Sequence, residues 1–195
     1  MIFSKTALAT TFALAASALP QPSPSSTSTS ASTSASTSAS SSPSASPSSG
    51  AGGGSVNIIN NLNSTVYVWS TASTTGTGGM QTLKPGGGSY NEDWKTTSDG
   101  SGISIKMSTS QNQGSVLQFE YTNDGDKLFW DLSSIDLDET SAFVKAGFSA
   151  TPDDSSCQAV SCAAGDADCT AVYQKPDDVN TNSCSSGAGL TVTLG

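Results

Sequence analysis

An all-β fold is what this 195-residue sequence predicts: an antiparallel β-sandwich with a disulfide-braced C-terminal loop region. Three observations carry that expectation. Short runs of β-branched and aromatic residues recur from Val56 onward, with apolar side chains on alternate positions. Clusters of Gly, Asn and Asp separate the runs, and no stretch repeats convincingly at the helical period.

Taken in order, residues 56–60 (Val-Asn-Ile-Ile-Asn) form the first run and residues 66–69 (Val-Tyr-Val-Trp) the second. Ile103, Ile105 and Met107 alternate with Ser104, Lys106 and Ser108, the pattern of a half-buried strand. Leu117, Phe119 and Tyr121 repeat it, and residues 128–130 follow the turn Asn123-Asp124-Gly125-Asp126. Residues 143–148 and 190–194 read as two further strands, and residues 132–137 as either a strand or one turn of helix. Pro85-Gly86-Gly87-Gly88 and Asp99-Gly100 are strong breakers. The whole series fits one domain over residues 55–195, and a second core has no room.

The N-terminal quarter reads differently. Lys5 followed by the short apolar stretch 7–16 and Ala16-Ser17-Ala18 is a secretory signal over residues 1–18, too short to span a bilayer. Residues 19–54 are a disordered Ser/Thr/Pro-rich stalk that cannot bury apolar area and would accept O-glycans. All four cysteines, Cys157, Cys162, Cys169 and Cys184, fall late in the chain. In a secreted protein they imply two disulfides, with three pairings open. Asn63-Ser64-Thr65 is a glycosylation sequon between two strands.

Composition excludes much chemistry. The chain carries 16 acidic residues against 7 lysines, with neither histidine nor arginine. That rules out histidine-based triads and histidine-ligated zinc, and makes nucleic acid an unfavourable partner. No cofactor, no metal and no membrane span are expected, and the chain reads as a monomer. Carboxylates remain as the route to catalysis, and paired carboxylates act on glycosides. Glu92 and Asp93 lie between Tyr90 and Trp94, so acids and aromatic rings adjoin as they do in sugar sites. These four are the candidate carbohydrate-binding residues, and Glu92 with Asp93 the candidate catalytic pair. Glu120, Asp131, Asp136 and Asp138 are further acids that could join them. Trp69 and Trp130 sit in strand patterns and read as core, whereas Trp94 lies in a polar stretch.

Several ordered segments resemble the fungal thaumatin-like family that includes the Blastomyces yeast-phase-specific proteins. They are Asn60-Asn61 ahead of residues 66–70, Gln81-Thr82-Leu83-Lys84-Pro85-Gly86-Gly87, residues 88–92 with 102–106, Phe119-Glu120-Tyr121, and residues 128–133. The resemblance implies a thaumatin-like β-sandwich, secretion, and residence at the cell wall. It also implies β-glucan as ligand, with hydrolysis through an acidic cleft in some members. Plant members have more disulfides and an arginine beside the cleft acids, which this chain lacks. The expectation is therefore a β-glucan binder without catalysis. An endo-β-1,3-glucanase and a surface adhesin for a protein partner are the alternatives.

Overall fold

The computed structural model describes residues 54–195. The sequence-derived signal peptide (1–18) and all but the last residue of the stalk (19–54) lie outside that range. Among the described residues, twelve strands form two packed sheets and one short helix joins them.

The five-stranded sheet contains β1 (Ser55–Asn60), β5 (Gly88–Asp93), β9 (Phe148–Pro152), β10 (Val160–Cys162) and β12 (Leu190–Leu194), in the order β10-β9-β12-β1-β5. The other sheet contains β2 (Val66–Ala72), β3 (Gly76–Thr77), β6 (Ile103–Ser108), β7 (Leu117–Asp124), β8 (Lys127–Ser133) and β11 (Asn182–Ser185), ordered β11-β8-β7-β6-β2-β3, with β4 (Gln81–Leu83) also paired to β2. Pairing is antiparallel except between β1 and β12, the first and last strands, which run parallel from Val56 opposite Leu190 to Asn60 opposite Leu194.

Alternation decides which side chains meet. Val56 and Ile58 on β1 and Val192 and Leu194 on β12 face Ile105, Met107, Phe119, Trp130 and Leu132 of the second sheet, all buried. Aromatic rings cross the core: Trp94 stacks on Phe119 with centroids 6.2 Å apart, and Phe119 on Trp130 at 6.0 Å. Trp69 is also buried, but it projects from the opposite face of its sheet, beside Tyr67.

A buried amide ties two loops to the core. Asn60 is fully buried. Its Nδ2 donates to the carbonyls of Ser64 and Lys84 at 2.9 and 3.0 Å, and its Oδ1 accepts from the Leu62 amide. It thereby ties the β1–β2 turn to the β4–β5 loop. In that loop Gly88 admits no side chain, because a Cβ there would lie 2.3 Å from the Lys84 nitrogen.

Two sequence expectations change. Residues 143–148 are not a strand: helix α1 (Ala142–Ala146) precedes β9. Ser141 caps it, accepting from the Val144 amide, and Gly147 ends it at φ 81°. A capping serine, a glycine stop and Lys145 in the last turn were present in the sequence, but one turn is too short to show a period. Residues 132–137 divide into the end of β8 and a turn.

The disulfides join Cys157 to Cys184 and Cys162 to Cys169. The first links the loop after β9 to β11 and so fastens one sheet to the other. The second closes a short loop after β10. The region they hold, residues 153–189, carries few strands and depends on these links.

Candidate functional site

The sequence pointed to Tyr90, Glu92, Asp93 and Trp94 as one sugar site. Strand geometry separates them. On β5 the side chains alternate, so Tyr90 and Glu92 face inward while Asp93 is exposed on the other side. Glu92 and Asp93 therefore do not form a carboxylate pair. Trp94 leaves the strand and folds over the edge of the core. Its Nε1 donates to the Ala188 carbonyl at 2.9 Å, and its ring lies 4.8 Å from that of Tyr121.

Glu92 is instead a bridge between the sheets. Its Oε1 accepts from Tyr121 at 2.7 Å and Ser70 at 3.1 Å, both on the seven-stranded sheet. Its Oε2 accepts from Tyr90 at 2.6 Å and from the Lys95 ammonium at 2.5 Å. Burial opposes ionisation of this carboxyl, but the hydrogen bonds from Lys95, Tyr90, Tyr121 and Ser70 outweigh it and hold its pKa below the ordinary value. Burial, then the bond to Glu92, pushes both tyrosine hydroxyls far up. A carboxylate held ionised at neutral pH by four donors on its two oxygens is not a general acid. A cleft of about 330 Å³ opens beside it, under the β2–β3 turn, with Gly78 and Gly79 in its wall.

A second place gathers what the sequence left dispersed. On the outer face of the seven-stranded sheet, Ser104, Glu120 and Asp131 lie in one cross-strand row, Ser104 opposite Glu120 and Glu120 opposite Asp131. Directly opposed residues on an antiparallel pair have Cβ atoms about 4.5–5.5 Å apart. In the neighbouring rows Lys106 faces Gln118, and Thr122 faces Phe129. Together they line a groove of about 520 Å³ that crosses the strands from Thr71 on β2 to Thr181 beside β11. Phe129 stands 38% exposed at its margin, which is unusual for a large ring on a sheet face.

The two acids differ in their surroundings. Burial, with the Glu120 charge adding to it, pushes the Asp131 carboxyl up to about 7. Its Oδ1 is buried without a hydrogen-bond partner. The groove thus offers an acid with a raised pKa opposite a second acidic side chain, on a floor of hydroxyl and amide groups with the Lys106 ammonium among them. Asp136 and Asp138 do not join them: they are exposed in the loop after β8. Sequence reasoning had named Glu120 and Asp131 but missed Ser104, Gln118, Thr122 and Phe129. The signal was there, since the alternation that buries Ile105, Phe119 and Trp130 turns these residues outward.

The sequence model of the Blastomyces yeast-phase-specific protein family matches residues 43–195. The chain belongs to this family. Within the wider fungal thaumatin-like group, it is 51% identical over 142 residues to the secreted thaumatin-like protein calA of Emericella nidulans, covering 73% of this chain and 81% of that protein. It is 40% identical to an antigenic thaumatin-like protein of Arthroderma benhamiae, covering 72% and 70%. The crystal structure of the protein elicitor MoHrip2 from Magnaporthe oryzae superposes with a TM-score of 0.61 at 27% identity, covering 72% of this chain and 98% of that one. The sandwich with its disulfides is thus a thaumatin-like fold, and the likeness to a secreted relative supports an extracellular location.

Proposed function

We propose that this thaumatin-like domain binds β-glucan of the cell wall along the groove on its seven-stranded sheet, without cleaving it. The observation that carries the reading is the row Ser104, Glu120, Asp131 beside the exposed ring of Phe129. A sugar hydroxyl is a donor that a carboxylate accepts, and an apolar C–H face of a pyranose packs on an aromatic ring. The ligand is uncharged, in keeping with a net charge of −9 on the protein, which repels anionic polymers.

Geometry argues against turnover. Glycosidases flank the scissile bond with two carboxyls, one on each side of it. Here both acids rise from adjacent strands on one floor, beneath the ligand. The N-terminal segments complete the proposal: a signal peptide at 1–18, and a stalk at 19–54 that spaces the domain from the wall. Asn63 is exposed in the β1–β2 turn, where a glycan can be carried.

Retention on insoluble β-1,3-glucan tests the reading. Wild-type protein should be retained and the double variant Glu120→Gln, Asp131→Asn released, with both equally folded. A wild type that washes through refutes it.

One observation supports hydrolysis as a second reading: Asp131, with its carboxyl raised to about 7, could donate a proton, with Glu120 opposite it as the second carboxyl group. Reducing-sugar release from laminarin, abolished in Asp131→Asn, would establish it. A folded wild type with no release would remove it.

A further inference from the structure

The groove does not end at Phe129. A second cleft of about 440 Å³ adjoins it, lined by Thr96, Gly100, Thr122, Asn123, Asp124 and Phe129. Thr122 and Phe129 line both spaces, so the exposed ring is a shared wall. The far wall comes from the loop between β5 and β6, residues 94–102. That loop is pinned: Asp99 accepts from the Ser73 hydroxyl at 2.9 Å and from the Ser101 amide at 3.1 Å. The cleft is therefore formed before any ligand arrives, which keeps the ordering cost of binding low. Among the residues that line the two spaces, Asp131 and Asn123 each have a buried Oδ1 without a hydrogen-bond partner.

We infer that the ligand is a chain long enough to pass over Phe129 and occupy both compartments, so that the protein selects extended neutral polysaccharide over short oligosaccharides. This rests on the groove being the sugar site. The Phe129 ring lies where a pyranose would bridge the two spaces. Thr96 and Asn123 then act as specificity residues that touch only the distal part of the chain.

The experiment is calorimetric titration of the folded domain with β-1,3-linked glucose oligomers of increasing length. In the wild type, Kd should fall about tenfold once the oligomer reaches past Phe129, the weight of one additional aromatic contact. Thr96→Trp, at an exposed position, should fill the second cleft and abolish that gain. Asn123→Ala should reduce the gain in part and serves as the second variant if the tryptophan disturbs folding. If short oligomers bind through Glu120 and Asp131 but the affinity does not rise with length, or rises equally in Thr96→Trp, the inference is overturned and the groove stands. If no oligomer of any length binds, the groove reading itself fails and this inference with it.

Discussion

Glu92→Gln tests the bridge between the sheets. The substitution keeps the shape of the side chain but removes its charge and turns one of its two oxygens into a donor. In the native protein four donors converge on the carboxylate, and Tyr121 is itself buried. With the amide nitrogen in place of Oε2, Tyr90 and Lys95 lose their acceptor. Lys95 is 55% exposed and returns to water at little cost. The Tyr90 hydroxyl is left without its bond, and the bonds from Tyr121 and Ser70 fall from charge-assisted to neutral strength. At about 1 kcal/mol for each effect, the loss is about 2–3 kcal/mol. For a domain of this size that lowers Tm by roughly 6–9 °C.

The pH dependence gives the result its sign. The folded-state pKa of Glu92 is depressed, so its stabilisation is complete above the ordinary glutamate value of about 4.3 and is lost as the pH falls through the lower folded value. Urea unfolding of wild type and variant should therefore show a constant gap from pH 8 to about pH 5 that closes in stronger acid. Equal stability at pH 7, or a gap that persists unchanged in strong acid, would refute the reasoning.

Three further outcomes follow from the same structure. Opening the 27-residue loop with Cys157→Ser plus Cys184→Ser should lower unfolding free energy by about 3.5 kcal/mol, against about 2.4 kcal/mol for the 7-residue loop of Cys162 and Cys169, measured by denaturant titration. Asn60→Leu should cost about 3 kcal/mol, because the Leu62 amide and the carbonyls of Ser64 and Lys84 lose their partner in a buried setting. Asp131→Asn acts in the opposite direction. The folded protein holds the Asp131 proton up to about pH 7, whereas the unfolded chain releases it near pH 4, so wild-type stability declines as the pH rises through that window. The variant should be more stable than wild type by about 1–2 kcal/mol at pH 8, with allowance for partial solvent screening, and equal to it below pH 4.

The sandwich was legible because its central strands obey a period of two. Ile103-Ser104-Ile105-Lys106-Met107 and Leu117 to Tyr121 announce which face is buried. The edge strands were not legible, because they are defined by neighbours and not by their own composition. In β5, Gly88-Ser89-Tyr90-Asn91-Glu92-Asp93, a tyrosine and a glutamate take the inward places that apolar residues hold elsewhere. Nothing local distinguishes such a strand from a polar loop, and so the sequence groups Glu92 with Asp93 and Trp94 in one sugar site where the strand separates them. The parallel pairing of β1 with β12 joins the two ends of the domain and has no local signal at all. The disulfide partners were equally open, since three pairings suit four cysteines. The groove was half legible: alternation places Glu120 and Asp131 on one face, but their adjacency needs the β7–β8 register, which puts Glu120 opposite Asp131.

The most direct test of the account is to locate the sugar on the isotopically labelled domain by titrating a β-1,3-linked glucose oligomer and following backbone amide shifts. The shifts should cluster at Ser104, Glu120, Thr122, Phe129 and Asp131, and leave β1, β9 and β12 unmoved. Spectra that do not change at millimolar oligomer, or changes confined to the five-stranded sheet, would contradict it.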